Sequence, residues 1–542
     1  MAAITIKSFG GISPKTPPRY LQESQAQVAL NCPVFNGPLQ PLYGLGAALL
    51  TLDKATAPVT IYRYGQDTIS DTQYWFHWLT DVDVCRSQIK SDSSEWTFYT
   101  GDGVPKATYA ALALTGTNYP AASRPLGVEP PVTAVLTAVS GTPTDPAALV
   151  ETRVYAYTNV SKEAGFEKES SPSAPSADVA VRPGQTVTLT SFDAVPAGYN
   201  VTHRRIYRAV AGVYLYVGEM TSAETSFEDS ALAEDLNEEL PSLTWEEPPD
   251  GLMGLTNMPN GIMAGAVGRD LYFCDPYHPF AWPSGYMQTV DYPVVGLGRM
   301  DTTLAVLTTG APYFVQGTHP DSMAVVKSDI EQACVAKRSI VSVGGAVLYA
   351  SPDGLVLLAP GGSRILTEGY FSRKQWQAYF KPSSIHAYVH DNKYVAFYDT
   401  GTVQGGFIYD LTSNQFVLHN LYATAGYSDL VVDKLFVALA ARTVREWDAG
   451  TALSYVWRSK KFGLPNTNFF SCAQLEAETY PVTVKFYVDG NATAAYTLSV
   501  TSREPFRLPA TLAGRDWEVQ LEGNTDVFSF AMAQSMGELA NV

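Results

Sequence analysis

The stretch Gly344–Glu368, GGAVLYASPDGLVLLAPGGSRILTE, decides the fold class. Two apolar runs, Ala346–Ala350 and Leu355–Ala359, flank a Ser-Pro-Asp-Gly turn, and a Pro-Gly-Gly turn leads to a third run at Arg364–Thr367. Glycine adopts positive φ in such turns without steric cost. The stretch therefore predicts short antiparallel strands joined by tight turns.

The same order of strand, polar turn and strand recurs on either side of this stretch. It is found at Gly296–Gly317, His386–Phe416 and Asp429–Asp448. Successive units begin roughly 40–45 residues apart, which is the spacing of propeller blades. One further unit at 57–127 brings the predicted propeller to about six blades.

The composition of the 542-residue chain favours an all-β protein. It contains 32 Tyr, 42 Gly and 35 Pro, so aromatic strands alternate with turn residues, and amphipathic helical patterns are nearly absent. The formal net charge of −17 disfavours a protein that grips nucleic acid, because phosphate binding needs clustered Lys and Arg. No apolar run approaches the roughly 18–20 residues of a membrane helix, so we expect no stable membrane insertion.

Neither the cysteine spacing nor a search for standard catalytic motifs points to a reactive or metal-binding site. The five cysteines lie far apart without a C-x-x-C pair, which favours free, mostly buried thiols in a reducing compartment over disulfides or a zinc site. The sequence has no G-x-S-x-G, H-E-x-x-H or P-loop motif, and no G-x-G-x-x-G that opens a helix. We expect no enzyme activity, no catalytic or metal-binding residues and no cofactor.

Residues 1–56 read as an extended, turn-rich segment. Glu23–Leu30 within it could form two helical turns. A segment with so few apolar runs builds little core of its own, so we expect it to lie along another surface or another subunit.

Residues 128–250 read as a different module inserted into the array. Thr186–Thr190, His203–Ala209 and Val213–Glu219 are short alternating strands separated by turn signals, as in a β-sandwich. The string from Tyr155 to the Ser-Pro-rich loop after Glu169 resembles fibronectin type III domains. Because its linkers at 111–130 and 224–250 are polar or rich in small residues, we expect a peripheral insert whose deletion leaves the propeller folded.

The segment Glu224–Asp250 is strongly acidic. It contains ten Asp and Glu residues and no Lys or Arg. Two interpretations stay open: a solvated linker that returns to the array, or a docking strip for a basic partner.

The remaining chain continues the array and then changes character. Residues 251–459 carry the remaining blades, and residues 460–542 form a last module. In that module Val482–Val488 and Tyr496–Val500 are alternating strands, with an Asp-Gly hairpin turn between them. We predict an all-β chain: a propeller interrupted by the fibronectin type III-like insert and followed by a small C-terminal β-sandwich.

Several short stretches carry a resemblance to a known family. They are DPYHPFAWP from Asp275, QTVDYPVVGLG from Gln288, GTHPDSM from Gly317, QACVAKRSI from Gln332, YASPDGL from Tyr349 and, near the start, GGISPK from Gly10 and Cys32 followed by GPLQPL from Gly37. Their number and order resemble the tail nozzle, or tail tubular, proteins of short-tailed bacteriophages. The resemblance covers most of the chain and is densest between Asp275 and Glu368. The insert departs from the simplest members of that family.

The resemblance implies a structural role in the virion tail. Members assemble as homohexameric rings below the portal and its adaptor ring, contact tail fibres or other tail proteins, and form the lower channel for DNA ejection. It implies assembly in the bacterial host cytoplasm and transit of double-stranded DNA without sequence-specific binding. An acidic wall suits such a conduit because it repels phosphates. Asp301 and Asp391 are the candidate channel-facing residues.

A carbohydrate-binding or carbohydrate-cleaving propeller on a particle or cell surface is the alternative. It predicts paired carboxylates and exposed aromatic rings in one pocket. The Ser351-Pro-Asp-Gly turn resembles part of the Asp-box of sialidase propellers, but the Trp that completes that motif is absent. We interpret it as a structural turn.

Overall fold

The computed structural model describes residues 3–65, 74–89 and 92–541. The chain is all-β, as predicted, and divides into two compact units. Unit 1 comprises Met1–Leu79, Leu307–Pro312 and Lys327–Val542, and unit 2 comprises Thr80–Val306 and Tyr313–Val326. Within the described residues, no helix has both the length and the apolar character needed to cross a bilayer.

In the described part of the chain, nine strands and one short helix, α1 (Ala110–Ala113), precede the insert. Strands β1–β9 span Ile4–Ile6, Ala26–Leu30, Ala48–Thr51, Thr60–Arg63, Trp75–Trp78, Asp83–Arg86, Thr97–Thr100, Lys106–Thr108 and Arg124–Pro125. β4 and β5 form a two-stranded sheet in unit 1, whereas β6–β9 form a four-stranded sheet in unit 2. The range 57–127, predicted as one blade, thus holds two separate sheets; its residues 66–73, 90 and 91 lie outside the described part of the chain.

The insert contains nine strands and a 3-10 turn at Ala233–Asp235. Strands β10–β18 span Leu136–Ser140, Glu151–Arg153, Tyr155–Glu163, Phe166–Glu169, Val179–Val181, Thr186–Thr190, His203–Val210, Val213–Thr221 and Ser226–Asp229. The two larger sheets have the orders β10-β15-β18 and β13-β12-β16-β17. Tyr157, Leu189 and Ile206 lie in their common buried core, as the predicted β-sandwich requires.

The next nineteen strands continue the array, with helix α2 (Arg373–Phe380) and 3-10 turns at Ser284–Tyr286, Pro320–Ser322, Lys337–Ser339 and Pro382–Ser384. Strands β19–β37 span Met253–Asn257, Met263–Val267, Asp270–Phe273, Gln288–Thr289, Val294–Met300, Thr303–Thr308, Tyr313–Gln316, Ala324–Lys327, Val341–Val343, Ala346–Ala350, Leu355–Leu358, Arg364–Ile365, His386–His390, Lys393–Asp399, Gln404–Asp410, Phe416–His419, Ala425–Asp429, Lys434–Ala438 and Thr443–Glu446. Consecutive groups of four, β19–β22, β23–β26 and β27–β30, form antiparallel sheets, and β3 completes the sheet of β35–β37.

The sheets follow one another as propeller blades do. In unit 2 the first strands β6, β19 and β23 lie side by side, and in unit 1 β27, β31, β35 and β4 do so. Among the described residues this makes seven blade-like units, against about six predicted. Five are four-stranded sheets, one is the two-stranded sheet of β4 and β5, and one is the run β31–β34 within a ten-stranded sheet. The strand that completes the β35–β37 sheet, β3, comes from the N-terminal segment.

The C-terminal module has eight strands and a final helix, α3 (Met536–Leu539). Strands β38–β45 span Tyr455–Ser459, Phe462–Phe469, Cys472–Ala477, Val482–Val488, Tyr496–Val500, Phe506–Arg507, Ala513–Gly523 and Val527–Ala533. One sheet runs β31-β32-β33-β34-β2-β38-β44-β41-β42, with β39 on β44, and the second runs β1-β45-β40-β43. The predicted sandwich at 460–542 therefore shares a continuous sheet with a blade and takes strands from outside its range.

The segment 1–56 is part of the core of unit 1. Strand β2 occupies most of Glu23–Leu30, which was predicted as helical turns. It pairs in parallel with β34 and antiparallel with β38, and Ala26 and Ala29 are buried between them. The helix prediction is wrong because burial between two neighbouring strands outweighs a weak local helix preference.

The Gly-Gly of the N-terminal motif allows a close backbone approach. A Cβ atom at Gly11 would lie 2.2 Å from the carbonyl oxygen of Phe416. Trp457 Nε1 donates to the Gly10 oxygen at 3.0 Å, and its ring lies edge-on to Phe9 at 4.9 Å. The segment thus lies along a blade and the sandwich of its own chain, which is the first of the two expected placements.

The insert is anchored inside unit 2. Phe166 in the β12–β13 hairpin lies 5.4 Å from the ring of Trp96 and 5.8 Å from that of Phe280. Beside it, Arg124 makes a charge-assisted pair with Glu163, with a shortest distance of 2.8 Å. The hairpin therefore supplies side chains to the core around β6–β9 and β19, so this part of the insert is not peripheral. That the propeller folds without the insert stays a prediction.

Candidate functional site

An acidic cleft of about 300 Å³ lies in unit 1. Residues 33–43 of the N-terminal segment form one wall, and the β31–β32 hairpin forms another. The remaining lining comes from the turn after β37 and from two turns of the C-terminal sandwich. It brings together four carboxylates, those of Asp391, Asp448, Glu478 and Asp526.

Asp448 is held by its backbone conformation and by a hydrogen bond. Its backbone is left-handed, with φ of 57°, and its Oδ1 accepts the Tyr43 amide at 2.8 Å. Asp448 is exposed as a residue, but partial desolvation of its carboxyl raises the pKa above its ordinary value. The group is therefore easier to protonate than a surface aspartate.

The cleft also has aromatic and cationic lining. Tyr43 is exposed and Phe35 is half-buried. Lys393 lies 5.5 Å from the centre of the Phe35 ring and forms an ion pair with Asp391. Carboxylates that accept hydroxyl donors, next to aromatic faces, can bind a polyhydroxyl or a cationic ligand.

The two predicted channel-facing residues have different settings. Asp391 is exposed at the tip of the β31–β32 hairpin, with φ of 49°, and lines the acidic cleft. Asp301 is exposed in the β23–β24 turn of unit 2, with φ of 43°. Both occupy left-handed turn positions, as short polar side chains often do. Their orientation toward a channel stays a prediction.

A carboxylate–histidine pair lies in the DPYHPFAWP stretch of unit 2. Asp275 Oδ2 is 2.8 Å from His278 Nδ1, and Tyr286 OH donates to Asp275 Oδ1 at 3.2 Å. The His278 ring packs against Trp245 at 4.4 Å. Within the described residues no Ser, Thr or Cys group is recorded on its other nitrogen, so the pair lacks the nucleophile that a triad needs.

The family-like stretch QACVAKRSI connects two blades of unit 1. Ser339 donates to the Ala336 oxygen at 2.6 Å and accepts the Ala350 amide at 2.9 Å. Arg338 donates to the Thr424 oxygen at 2.6 Å, and Tyr394 OH donates to the Ser339 oxygen at 2.9 Å. The stretch therefore supplies hydrogen-bond partners for polar groups buried between the sheets, which is a structural role.

The Ser-Pro-Asp-Gly turn is also held structurally. Ser351 Oγ accepts the amides of Asp353 and Gly354 at 3.2 Å each. Trp376 on α2 donates to the Ser351 oxygen at 3.0 Å. A tryptophan from a helix thus packs on the turn, although none follows in the local motif.

The thiols are buried. All five cysteines are free and inaccessible, and burial raises the pKa of Cys85, Cys274 and Cys334 to about 12. In the part of the chain that the structure describes, no group of three or more His, Cys, Asp or Glu residues is placed to hold a metal ion.

The acidic cleft escapes detection in the sequence. Its carboxylates come from positions 391, 448, 478 and 526, and each sits in a turn where Asp and Glu are ordinary. No spacing rule links them, because the pairing of distant strands brings them together. Of the four carboxylates, only Asp391 was a candidate from the sequence, on the local composition of the β31–β32 turn.

Comparison with known proteins identifies no family. No family model and no curated protein matches the chain. Among solved structures, BBS1N in complex with ARL6DN is 10% identical and aligns over 75% of this chain and 96% of its own, with a TM-score of 0.29. Apo AztD from Citrobacter koseri is 9% identical over 56% of this chain and 80% of its own, with a TM-score of 0.25.

Proposed function

We propose that this chain is a structural protein of a short-tailed bacteriophage virion: the tail nozzle below the portal and adaptor. In this proposal six copies form a ring whose channel conducts DNA into the host cell. Tail fibres or other tail proteins attach to the ring, and assembly takes place in the bacterial cytoplasm. The protein carries out no reaction.

One structural observation carries most of the support. The stretches that resemble the tail nozzle family act as connections: the Gly-Gly motif joins segment, blade and sandwich, and QACVAKRSI joins two blades. Continuous pairing from blade to sandwich through β2 stiffens unit 1. Such construction suits a protein that must transmit load, and it supports a structural role.

Charge gives a second line of support. With a net charge of −17 per chain, a ring of six copies presents a strongly negative surface. Repulsion from such a wall acts within about 8 Å at physiological salt. Duplex DNA would therefore be kept off the wall without being held back.

The test is the mass and shape of the purified chain. We expect a particle of six times 58.7 kDa by light scattering, and rings with a central hole wider than a DNA duplex in negative-stain images. A monomer at every concentration and salt would refute the proposal. A ring with a continuous positive belt at its narrowest point would refute only the argument that a negative wall keeps DNA off the channel surface.

The acidic cleft supports a second candidate function, saccharide binding. Carboxylates and the exposed Tyr43 in one cleft are the features that this alternative predicts. Asp448→Asn should weaken binding of oligosaccharides on a glycan array, whereas Asp301→Asn should not. An array with no bound glycan would exclude this candidate.

A further inference from the structure

We propose that a basic groove on the C-terminal sandwich binds an acidic strip on a second copy of this chain. The proposal deepens the proposed ring, on which it rests, by naming the two surfaces of the contact. The basic groove is lined by Arg19, Lys460, Lys461 and Arg515. The acidic strip is residues 232–239.

The basic groove lies in unit 1 and has a volume of about 770 Å³. Its four cationic side chains face two carboxylates, those of Asp489 and Asp516. The excess of positive charge is unusual in a chain with 53 acidic and 36 basic residues. Apolar surface from β39, which begins at Phe462, completes the lining.

The two groove carboxylates are already engaged. Asp516 binds the Arg19 guanidinium at 2.6 and 2.7 Å, while 56% of the Arg19 side chain stays exposed. Asp489 Oδ1 accepts the amides of Arg515 and Asp516 at 2.8 and 3.0 Å. Because both groove carboxylates already have partners within the chain, a carboxylate from another molecule can bind the groove cations without displacing an unpaired carboxylate.

Among the residues that the structure describes, the other groove cations retain hydrogen-bond donors without a partner. Arg515 Nη2 donates to the Pro465 oxygen at 2.8 Å, which leaves its other guanidinium nitrogens for a ligand. Lys460 lies 5.9 Å from the centre of the Phe462 ring. Lys461 is 3.5 Å from Glu518, a carboxylate that Arg458 also binds at 2.6 Å.

The acidic strip in unit 2 presents four exposed carboxylates within six residues: Glu234, Asp235, Glu238 and Glu239. Its backbone is held in place, since the Tyr216 amide donates to the Glu238 carbonyl oxygen at 2.7 Å. Buried Leu236 anchors it, and exposed Leu232 lies beside the charges. The strip is thus a preformed acidic surface with an apolar neighbour, which matches the groove in both respects.

A second copy is the occupant that the charge distribution favours. Two chains of net charge −17 repel each other over most of their surfaces, so a stable contact between copies needs a local region of opposite sign. The groove provides that region and the strip is its complement. A contact between two different surfaces of identical chains is heterologous, and such contacts form a ring when the rotation between successive copies closes.

Charge reversal with rescue tests this contact. Lys460→Glu/Arg515→Glu reverses the groove, and Glu234→Lys/Glu238→Lys reverses the strip. We expect each pair to raise the dissociation constant for assembly at least tenfold, measured by analytical ultracentrifugation. Both pairs combined in one chain should restore assembly, because the complementarity returns with its signs exchanged.

Matched controls separate this contact from the effect of net charge. Lys374→Glu/Arg503→Glu and Asp145→Lys/Asp178→Lys change the net charge equally at other exposed positions, and should leave assembly unchanged. Circular dichroism and thermal melting confirm that each variant is folded. Wild-type assembly should also weaken as salt is raised.

Zero-length carbodiimide cross-linking tests the contact directly. An equimolar mixture of unlabelled and heavy-isotope chains should give links between Lys460 or Lys461 and the strip carboxylates, with both isotopes in one product. Links only within one chain would overturn the proposal. So would binding of short DNA duplexes by the wild type that is lost in the groove-reversed variant, because the groove would then be a nucleic-acid site.

The outcomes distinguish this proposal from the proposed function. A wild-type ring that survives both reversals overturns the groove–strip contact and leaves the nozzle proposal standing. Dimers or open filaments that depend on groove and strip support the contact and refute the hexameric nozzle. A wild type that stays monomeric and forms no cross-link refutes both.

Discussion

Phe166→Ala should release the insert from the blades of unit 2. The ring lies 5.4 Å from Trp96, 6.5 Å from Phe98 and 5.8 Å from Phe280. Truncating a fully buried Phe costs about 3–5 kcal/mol. Phe166 is half-buried, so we expect about 2–3 kcal/mol of docking free energy to be lost.

Hydrogen exchange measured by mass spectrometry provides the assay. Since about 1.4 kcal/mol corresponds to a tenfold change in an equilibrium constant, the docked hairpin should open roughly 30–150 times more often. Faster exchange should appear in the peptides that cover residues 94–109 and in the β12–β13 hairpin. Both sides of the contact should respond, because each protects the other.

Two control variants make the result specific. Leu149→Ala removes a side chain that is 93% exposed in the same insert and should change nothing. Phe192→Ala removes a ring that packs on Tyr157 inside the insert, with centroids 5.0 Å apart, and should speed exchange in the insert alone. Unchanged exchange at 94–109 in Phe166→Ala would refute the anchoring argument and restore the peripheral insert.

Three further predictions concern stability. Arg63→Ala should lower the free energy of urea unfolding by about 3–5 kcal/mol, because it leaves Asp429 charged and fully buried. Arg63→Met/Asp429→Leu should recover most of that loss. Equal losses in both variants would contradict the ion-pair explanation. Lys168 is buried and burial lowers its pKa to about 8, so the folded protein binds fewer protons than the unfolded chain and stability should rise from pH 8 toward the ordinary Lys pKa of 10.5. Lys168→Met should be more stable than wild type at pH 7 and lose this rise, and an unchanged pH slope would refute the assignment. Gly11→Ala should lower the melting temperature of unit 1, because its Cβ would meet the Phe416 oxygen, whereas Gly361→Ala, with open space around it, should not.

Local pattern was sufficient for many individual strands. Ala346–Ala350, Thr186–Thr190, Val482–Val488 and Tyr496–Val500 begin and end at the predicted residues. Alternating apolar residues between Gly and Asp-Gly turns specify a hairpin through neighbours in the chain. The fold class and the two sandwich regions follow from the same signals, because they too are mostly local.

Partners distant in the chain could not be predicted. Strand β1 pairs with β45 and β3 with β37, although about 530 and about 400 residues separate the paired strands. An extended apolar segment offers no information about which edge it will join. The division of 57–127 between the two units could not be predicted either. Arg63 is buried with Asp429 in unit 1, whereas Cys85 and Phe98 are buried in unit 2. Helix α2 was not predicted because it has only eight residues and buries only Trp376 and Phe380, which is too few apolar positions for a clear helical pattern.

The sequence by itself therefore determined the all-β class, most of the hairpins and the acidic character of residues 224–250. Tertiary structure decided which sheets share a unit, how Phe166 anchors the insert, and which carboxylates meet in the acidic cleft. The physical reason is that turns and alternation depend on adjacent residues. Cores, clefts and buried ion pairs instead depend on which distant strands exclude water from one another.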